Sequence, residues 1–275
     1  MSLIKIYLAA ILLTQSISCI AAPKYPAPPL AGTITVSDQP YPLEKVNPHT
    51  SQISDSQVFL VQKDGGNLAI GLLISGYLNS HLISKESKRI ADSISQENEL
   101  DVLAKVKDRI SKSNPNFAQD STHKFAISSA ILISIDPDDE VRSTLVINAE
   151  DTSEAKGWAK SYFYHFRHTT NADLFKSEGS NDLLNKIASE LDESIDITAT
   201  VLLEDLTGKF PTGTPLKIKS KFLQPIGNVL IPFQALKIAE RGDAVVMRVD
   251  GKPGLIRFPT VDGVHIFHIH QFEIN

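Results

Sequence analysis

The chain has 275 residues, with 27 Lys and Arg against 32 Asp and Glu, a net charge of −5, and a single cysteine. An acidic balance argues against nucleic acid as a partner, because nucleic-acid binding needs a basic surface. Cys19 alone cannot form an intramolecular disulfide, so packing must stabilise the fold, and a chain of this length can bury a substantial core.

Residues 1–21 have the pattern of a secretory signal peptide. One basic residue, Lys5, precedes the apolar run 6–13, and small residues follow. Small side chains also occupy the two positions that signal peptidase reads, which places the expected cleavage before Ala22. The pattern predicts a protein of the bacterial cell envelope, periplasmic or secreted, without a transmembrane helix in the mature chain.

A lipoprotein signal is the alternative interpretation of the same segment. In that case Cys19 would be acylated and the protein would be anchored to a membrane surface. Ser16 fits this alternative poorly, because the lipoprotein peptidase favours a branched aliphatic residue at that position. Simple secretion is therefore the favoured interpretation.

The segment 22–55 is rich in proline, with seven prolines between positions 23 and 48. Such a segment cannot be helical and is predicted to be extended. It contains one short candidate strand, Thr33–Val36, and a second candidate strand, Gln57–Gln62, follows it. Residues 56–275 are predicted to form a single domain.

The stretch 67–111 begins with an apolar, glycine-punctuated run and continues with apolar residues at helical spacing. Ile90 and Ile94 are four apart, and Leu103, Val106 and Ile110 follow an i, i+3, i+7 pattern. The apolar run is too short to span a bilayer. This stretch therefore predicts a core helix that runs through residues 90–110, or a pair of helices, in preference to a membrane-active hairpin.

The middle of the chain has the alternating pattern of strands. Residues 125–135 and 141–147 flank the turn 136–139 and predict an antiparallel hairpin. The next candidate strand, Trp158–His168, divides its side chains between two faces. One face carries Trp158, Tyr162, Tyr164 and Phe166, and the other carries Phe163, His165 and Arg167.

A second helix is predicted from Asn181 to Leu206, with Gly208 as its C-cap, although residues 195–201 also alternate as a strand would. Short strands with Asp-Gly turns between them predict an antiparallel meander over 216–274. Together these elements predict an α+β fold, an antiparallel β-sheet (C-terminal meander plus central hairpin) packed by two long helices.

Candidate chemistry is limited to histidines near the C-terminus. His268 and His270 share one face of the last predicted strand, and His165, or alternatively His168, is a candidate third ligand for a zinc ion. This arrangement would support a metal-dependent hydrolase, but such pairs are frequent in strands, and hydrogen bonding within the core is the favoured interpretation.

Lys217, Lys219 and Lys221 form a basic row that either faces solvent at a sheet edge or meets phosphate-bearing lipids, and the solvent-facing role is favoured. No motif for nucleophilic catalysis or phosphate binding occurs in the sequence. The sequence therefore favours a non-enzymatic binding or structural module, without bound cofactor and with an unknown partner.

Overall fold

The computed structural model describes about three fifths of the chain. The described residues are 32–36, 41, 50–53, 57–62, 88–92, 94, 100–113, 123–136, 138–153, 158–176, 180–223, 230–253 and 261–275. The predicted signal peptide, Cys19 and the apolar run near residue 70 lie outside them. No helix in the described part of the chain is long and apolar enough to cross a membrane.

Within the described residues, eleven strands form one sheet, and two longer helices, of 12 and 27 residues, accompany it. The strands are β1 (Gly32–Val36), β2 (Thr50–Gln52), β3 (Val58–Gln62), β4 (His123–Ile135), β5 (Glu140–Asp151), β6 (Ala159–Asn171), β7 (Thr214–Lys219), β8 (Phe233–Arg241), β9 (Ala244–Asp250), β10 (Gly263–His268) and β11 (Glu273–Ile274). The helices are α1 (Val102–Ser113) and α2 (Ser180–Leu206). The sheet order is β11-β7-β8-β9-β10-β6-β5-β4-β3-β2, and β1 also pairs with β4.

The predicted α+β fold with an antiparallel sheet is wrong, because the sheet is mixed. The pairs β1·β4, β3·β4 and β6·β10 are parallel, and the other pairs are antiparallel. Between β6 and β10 the chain passes through α2 and three further strands before it returns beside β6 in the same direction. Alternation identifies a strand but does not reveal a partner so distant in sequence, which explains the error.

The prediction of two long helices is also wrong. Residues 88–92 are helical, but the described residues at 94, 100 and 101 are not, so no single helix runs through 90–110. α1 starts at Val102, where the Asp101 carboxylate accepts a hydrogen bond from Ala104 N at 3.0 Å. This N-cap satisfies a backbone donor that would otherwise lack a partner and thereby fixes a new helix start. Of the helices that the structure describes, α2 is long, with 27 residues, whereas α1 has 12.

α2 confirms the predicted second helix and excludes the strand alternative over 195–201. The helix buries an apolar stripe, and Gly208 adopts φ 67° just beyond the helix end, as the predicted C-cap requires. The stripe consists of Leu184, Ile187, Leu191, Ile195 and Leu202. α2 packs on β5 and β6 and contacts α1. The predicted β6 face of Trp158, Tyr162, Tyr164 and Phe166 is buried in this helix-covered core.

Strands β7 to β10 are antiparallel neighbours in chain order, which confirms the meander over these strands. The predicted last strand, 264–274, is interrupted by a 3₁₀ turn at Ile269–Gln271. Only four residues separate β10 from β11, yet β11 pairs with β7, so this end of the sheet curls back on itself. The curled end encloses a second core, formed by Ile218, Leu223, Phe233, Ala235, Val245, Met247, Val249, Val261 and Phe267.

Candidate functional site

A cleft of about 280 Å³ opens where the curled end meets the ends of β5 and β6. Stretches far apart in sequence line it, from β5, β6, β7, the turn after β7 and the last residues of the chain. Its basic lining residues are Arg142, Arg167, Lys219 and Lys221, and its large apolar ones are Phe222, Leu230 and Phe272.

Arg142 forms the buried base of the cationic lining. Its side chain is 1% exposed, and its guanidinium donates to the carboxylates of Asp136 and Glu140. Lys221 Nζ donates to the same Glu140 carboxylate at 2.6 Å. Burial lowers the pKa of Arg142 to about 10, so the guanidinium remains charged at neutral pH. Its central carbon lies 5.7 Å from the ring centroid of Phe222, which joins the cationic and aromatic parts of the lining.

A bulge in β6 brings Arg167 to the cleft. The register between β5 and β6 shifts between Arg142 and Thr144, where Ser143 alone faces the three β6 residues 166–168. Extra residues in one strand bend it and redirect their side chains. The Arg167 side chain consequently reaches both the cleft and the carboxylates of Glu190 and Glu193 in the middle of α2.

Arg167 is held by three carboxylates. It donates to Glu193 Oε1 at 2.8 Å, to Glu190 Oε1 at 3.0 Å and to Asp243 Oδ1 at 3.1 Å. The hydrogen bonds that Arg167 donates to Glu193 and Asp243 raise the pKa of Arg167 above its usual value. The hydrogen bond that Asp243 accepts from Arg167 lowers the pKa of Asp243 to about 2. Arg167 is therefore a fixed cation whose donors already have partners.

Lys219 and Glu273 differ from these paired charges. They face each other directly in the antiparallel pair β7·β11, and both line the cleft. Within the described part of the chain, neither side chain has a hydrogen bond or an ion pair. Asn275 N donates to Lys217 O at 2.9 Å, which holds β11 against β7 and keeps the two side chains side by side.

His268, a predicted metal ligand, is the last residue of β10 and is fully buried against α2. Its Nδ1 lies 3.1 Å from Asp243 Oδ2 and its Nε2 lies 3.6 Å from Glu190 Oε1. Tyr164 OH donates to the same Glu190 oxygen at 2.8 Å. Burial opposes ionisation of Glu190, but the neighbouring His268 and the hydrogen bonds from Tyr164 OH and Arg167 N keep its pKa below the usual value.

His165, another predicted ligand, has both ring nitrogens engaged elsewhere. Its Nδ1 lies 3.0 Å from Thr144 Oγ1, and its Nε2 lies 3.0 Å from His265 Nδ1. His265 Nε2 lies 2.8 Å from the carbonyl oxygen of Val261. A carbonyl only accepts, so His265 carries its proton on Nε2, His165 donates from Nε2, and Thr144 donates to His165 Nδ1. Burial lowers the pKa of His265 to about 4.

The third predicted ligand, His270, is exposed in the turn after β10 and lines the cleft. The structure brings two of the three predicted ligands together: the rings of His268 and His270 are stacked with their centroids 6.1 Å apart, whereas His165 packs on Phe222 and Phe267. Among the residues with described positions, no group of three or more His, Cys, Asp or Glu side chains has the arrangement of a metal site.

Another polar cluster lies beneath the C-terminal end of α2. Asp205 is fully buried and its carboxylate accepts hydrogen bonds from Lys160 Nζ at 2.8 Å, Tyr162 OH at 2.9 Å and Arg248 Nη2 at 2.7 Å. Burial lowers the pKa of Lys160, and the charge of Asp205 opposes this effect. Burial also raises the pKa of Tyr162 well above its usual value. Three donors thus converge on one buried carboxylate.

Sequence reasoning found part of the cleft and missed the rest. The basic row of Lys217, Lys219 and Lys221 was visible in the sequence, and two of its members line the cleft. Arg142 and Glu273 carried no signal, because they reach the cleft only through pairings between distant strands. Comparisons of the chain with protein-family models, curated proteins and solved structures gave no match.

Proposed function

We propose that this chain is an exported binding module of the bacterial cell envelope and that its cleft binds a small organic anion. The observation that carries the proposal is the lining of the cleft. Four of its described lining residues are Lys or Arg and two are Glu, and large apolar side chains stand beside them. Ligand sites typically combine mostly apolar walls with a few polar groups that orient the ligand.

The anchoring cation in this proposal is Lys219. Arg142 and Lys221 share Glu140, and Arg167 is engaged by three carboxylates, so acidic side chains balance the charges of these cations and already accept hydrogen bonds from them. Lys219 is partly buried and has no ion pair within the described residues. Its three ammonium donors can therefore bind an anionic group without breaking an existing contact.

The apolar lining and the volume limit the size of the ligand. Ligand pockets usually measure about 300–1,000 Å³, and this cleft lies at the lower end of that range. Leu230 is 36% exposed, and Phe222 and Phe272 are partly exposed, so apolar surface is available to a bound molecule. A single ring or a short acyl chain with one anionic group matches this lining.

Export is supported by the sequence of residues 1–21 alone. Intact-mass measurement of protein from the native host tests it. A mass that begins at Ala22 is expected, a diacylglycerol addition on Cys19 would establish the lipoprotein alternative, and a mass that begins at Met1 would contradict export.

Isothermal titration calorimetry with 3-phenylpropionate tests the proposed binding function. We expect one saturable site, with affinity about tenfold weaker in Lys219→Gln, because a charge-assisted hydrogen bond is lost. Lys217→Gln is the matched control: it removes the same charge from the same face of β7, two residues away and outside the cleft lining. Absence of saturable binding, or equal weakening in both variants, would contradict the proposal.

A further inference from the structure

The cleft offers an unpaired anion as well as an unpaired cation. Glu273 is exposed and lines the cleft beside Lys219. The other lining glutamate, Glu140, already accepts from Arg142 and Lys221. Of the two glutamates, Glu273 is the one whose carboxylate is open to a cationic group of a ligand.

The register of the strands sets the spacing of these two charges. Glu273 and Lys219 are direct partners in the antiparallel pair β7·β11. Directly opposite residues in such a pair have Cβ atoms about 4.5–5.5 Å apart. Two charged side chains at this spacing can contact an anionic group and a cationic group that a ligand carries on the same carbon atom.

From this juxtaposition we propose that the cleft binds a zwitterion, an α-amino acid with an apolar side chain. The ligand carboxylate contacts Lys219 Nζ, the ligand ammonium contacts the Glu273 carboxylate, and the side chain lies against Phe222 and Phe272. This inference rests on the proposed function, because Lys219 holds the anionic group in both. It adds the second charged contact and hence the class of ligand.

The alternative explanation of Lys219 and Glu273 is an ordinary surface pair of a sheet edge. Cross-strand pairs of opposite charge stabilise a sheet slightly and need no ligand. Such a pair would discriminate poorly between a zwitterion and a simple carboxylate. The two explanations therefore differ in the effect that a ligand ammonium group has on affinity.

Calorimetric titration with three molecules that share one phenyl ring tests the proposal. L-phenylalanine carries both charges, 3-phenylpropionate carries only the carboxylate, and 2-phenylethylamine carries only the ammonium. We expect L-phenylalanine to bind about fivefold more tightly than 3-phenylpropionate, the upper end for a partly exposed ion pair, and 2-phenylethylamine to bind weakest because it lacks the carboxylate that Lys219 holds.

Two variants assign the contacts. Glu273→Gln is expected to reduce the affinity for L-phenylalanine to that for 3-phenylpropionate and to leave the latter unchanged or slightly stronger. Glu240→Gln removes an equal charge outside the cleft, where Glu240 contacts Lys237, and should change neither affinity. Thermal unfolding of each variant checks that the fold is intact.

The outcomes separate the two proposals. If 3-phenylpropionate binds through Lys219 but L-phenylalanine binds no more tightly, or if Glu273→Gln does not alter L-phenylalanine binding, the zwitterion inference is overturned and the anion site remains. If neither molecule binds the unmodified protein, the proposed function and the inference both fail.

Discussion

Beneath α2, the buried carboxylate of Asp205 accepts hydrogen bonds from Lys160, Tyr162 and Arg248. At the curled end of the sheet, Lys219 and Glu273 lie directly opposite each other, and neither has a hydrogen-bonding partner within the described residues. The two regions belong to one sheet but differ in solvent access: Asp205 is 0% exposed, whereas Glu273 is exposed.

The difference follows from the cost of desolvation. A buried charge without partners is strongly destabilising, so the cluster around Asp205 must be fully paired for the chain to fold. An exposed charge keeps its water shell and needs no partner, so Lys219 and Glu273 are available to a ligand. We therefore assign a structural role to the buried cluster and a binding role to the cleft.

The largest expected change in stability comes from removing the charge of Asp205. Asp205→Asn keeps the shape of the side chain but withdraws the carboxylate from Lys160 and Arg248. We expect a loss of about 3–5 kcal/mol in the free energy of unfolding, measured by urea denaturation.

Lys219→Gln is the matched comparison from the other region. Because Lys219 has no ion pair in the described structure, its replacement should change the free energy of unfolding by less than about 0.5 kcal/mol. Similar losses in Asp205→Asn and Lys219→Gln would contradict the distinction between a structural cluster and a binding cleft.

The next effect concerns pH and the buried His265. Its pKa is lowered from 6.5 to about 4 by burial, although its hydrogen bond to the Val261 carbonyl opposes the shift. In the unfolded chain the pKa returns to about 6.5. Below pH 6.5 the unfolded state therefore binds the proton first, and stability falls as the pH drops through this window toward 4.

The expected size of this loss is about 3 kcal/mol between pH 6.5 and pH 4. Glu190, Glu193 and Asp243 also have lowered pKa values and destabilise the fold in acid, so the difference between two proteins is the informative quantity. Urea denaturation at several pH values should give a flatter stability profile for His265→Gln than for the unmodified chain. Parallel profiles would show that His265 does not remain neutral in the fold.

A smaller loss of stability is expected from a substitution at the parallel pair β6·β10, where the helix-covered and curled regions of the sheet join. A Cβ at Gly263 would lie 2.5 Å from the Ser161 carbonyl oxygen and 2.9 Å from Phe163 Cε2. Gly263→Ala must therefore push the strands apart, and we expect a loss of about 1–3 kcal/mol in the free energy of unfolding.

Gly242→Ala is its control. Gly242 has φ +64° and open space where a Cβ would stand, so alanine costs only about 1 kcal/mol of backbone strain there. Both substitutions change the unfolded chain alike, so a larger loss at Gly263 isolates the close approach of β10 to β6. Equal losses would mean that the two regions are less tightly joined than their pairing indicates.

Local pattern predicted the elements well where the burial pattern is regular. β4, β5, β6 and α2 were all predicted, because alternation and the 3.6-residue period directly reflect which side chains face the core. β8 (Phe233–Arg241) was missed, and its register shift between Lys237 and Ala239 interrupts the alternation of its side chains. The break before α1 depended on one cap, Asp101, which a continuous apolar stripe concealed.

The arrangement of the sheet and the site could not be predicted from local pattern. The parallel pairing of β6 with β10 joins residues about a hundred positions apart, and nothing in either strand specifies the other. The same holds for Glu273, which becomes part of a site only because β11 pairs with β7. The predicted proximity of His268 and His270 is retained, with ring centroids 6.1 Å apart, but the turn at Ile269–Gln271 leaves His270 exposed while His268 is buried.

Amide chemical shifts of the ¹⁵N-labelled protein, followed by NMR during titration with 3-phenylpropionate, test the central claim most directly. They report which region responds to a ligand. We predict saturable shift changes centred on residues 219–222 and 270–273, with the signals of Lys160, Asp205 and Arg248 unchanged. Changes centred on the helix-covered cluster, or spread evenly over the sheet, would contradict the assignment of binding to the cleft.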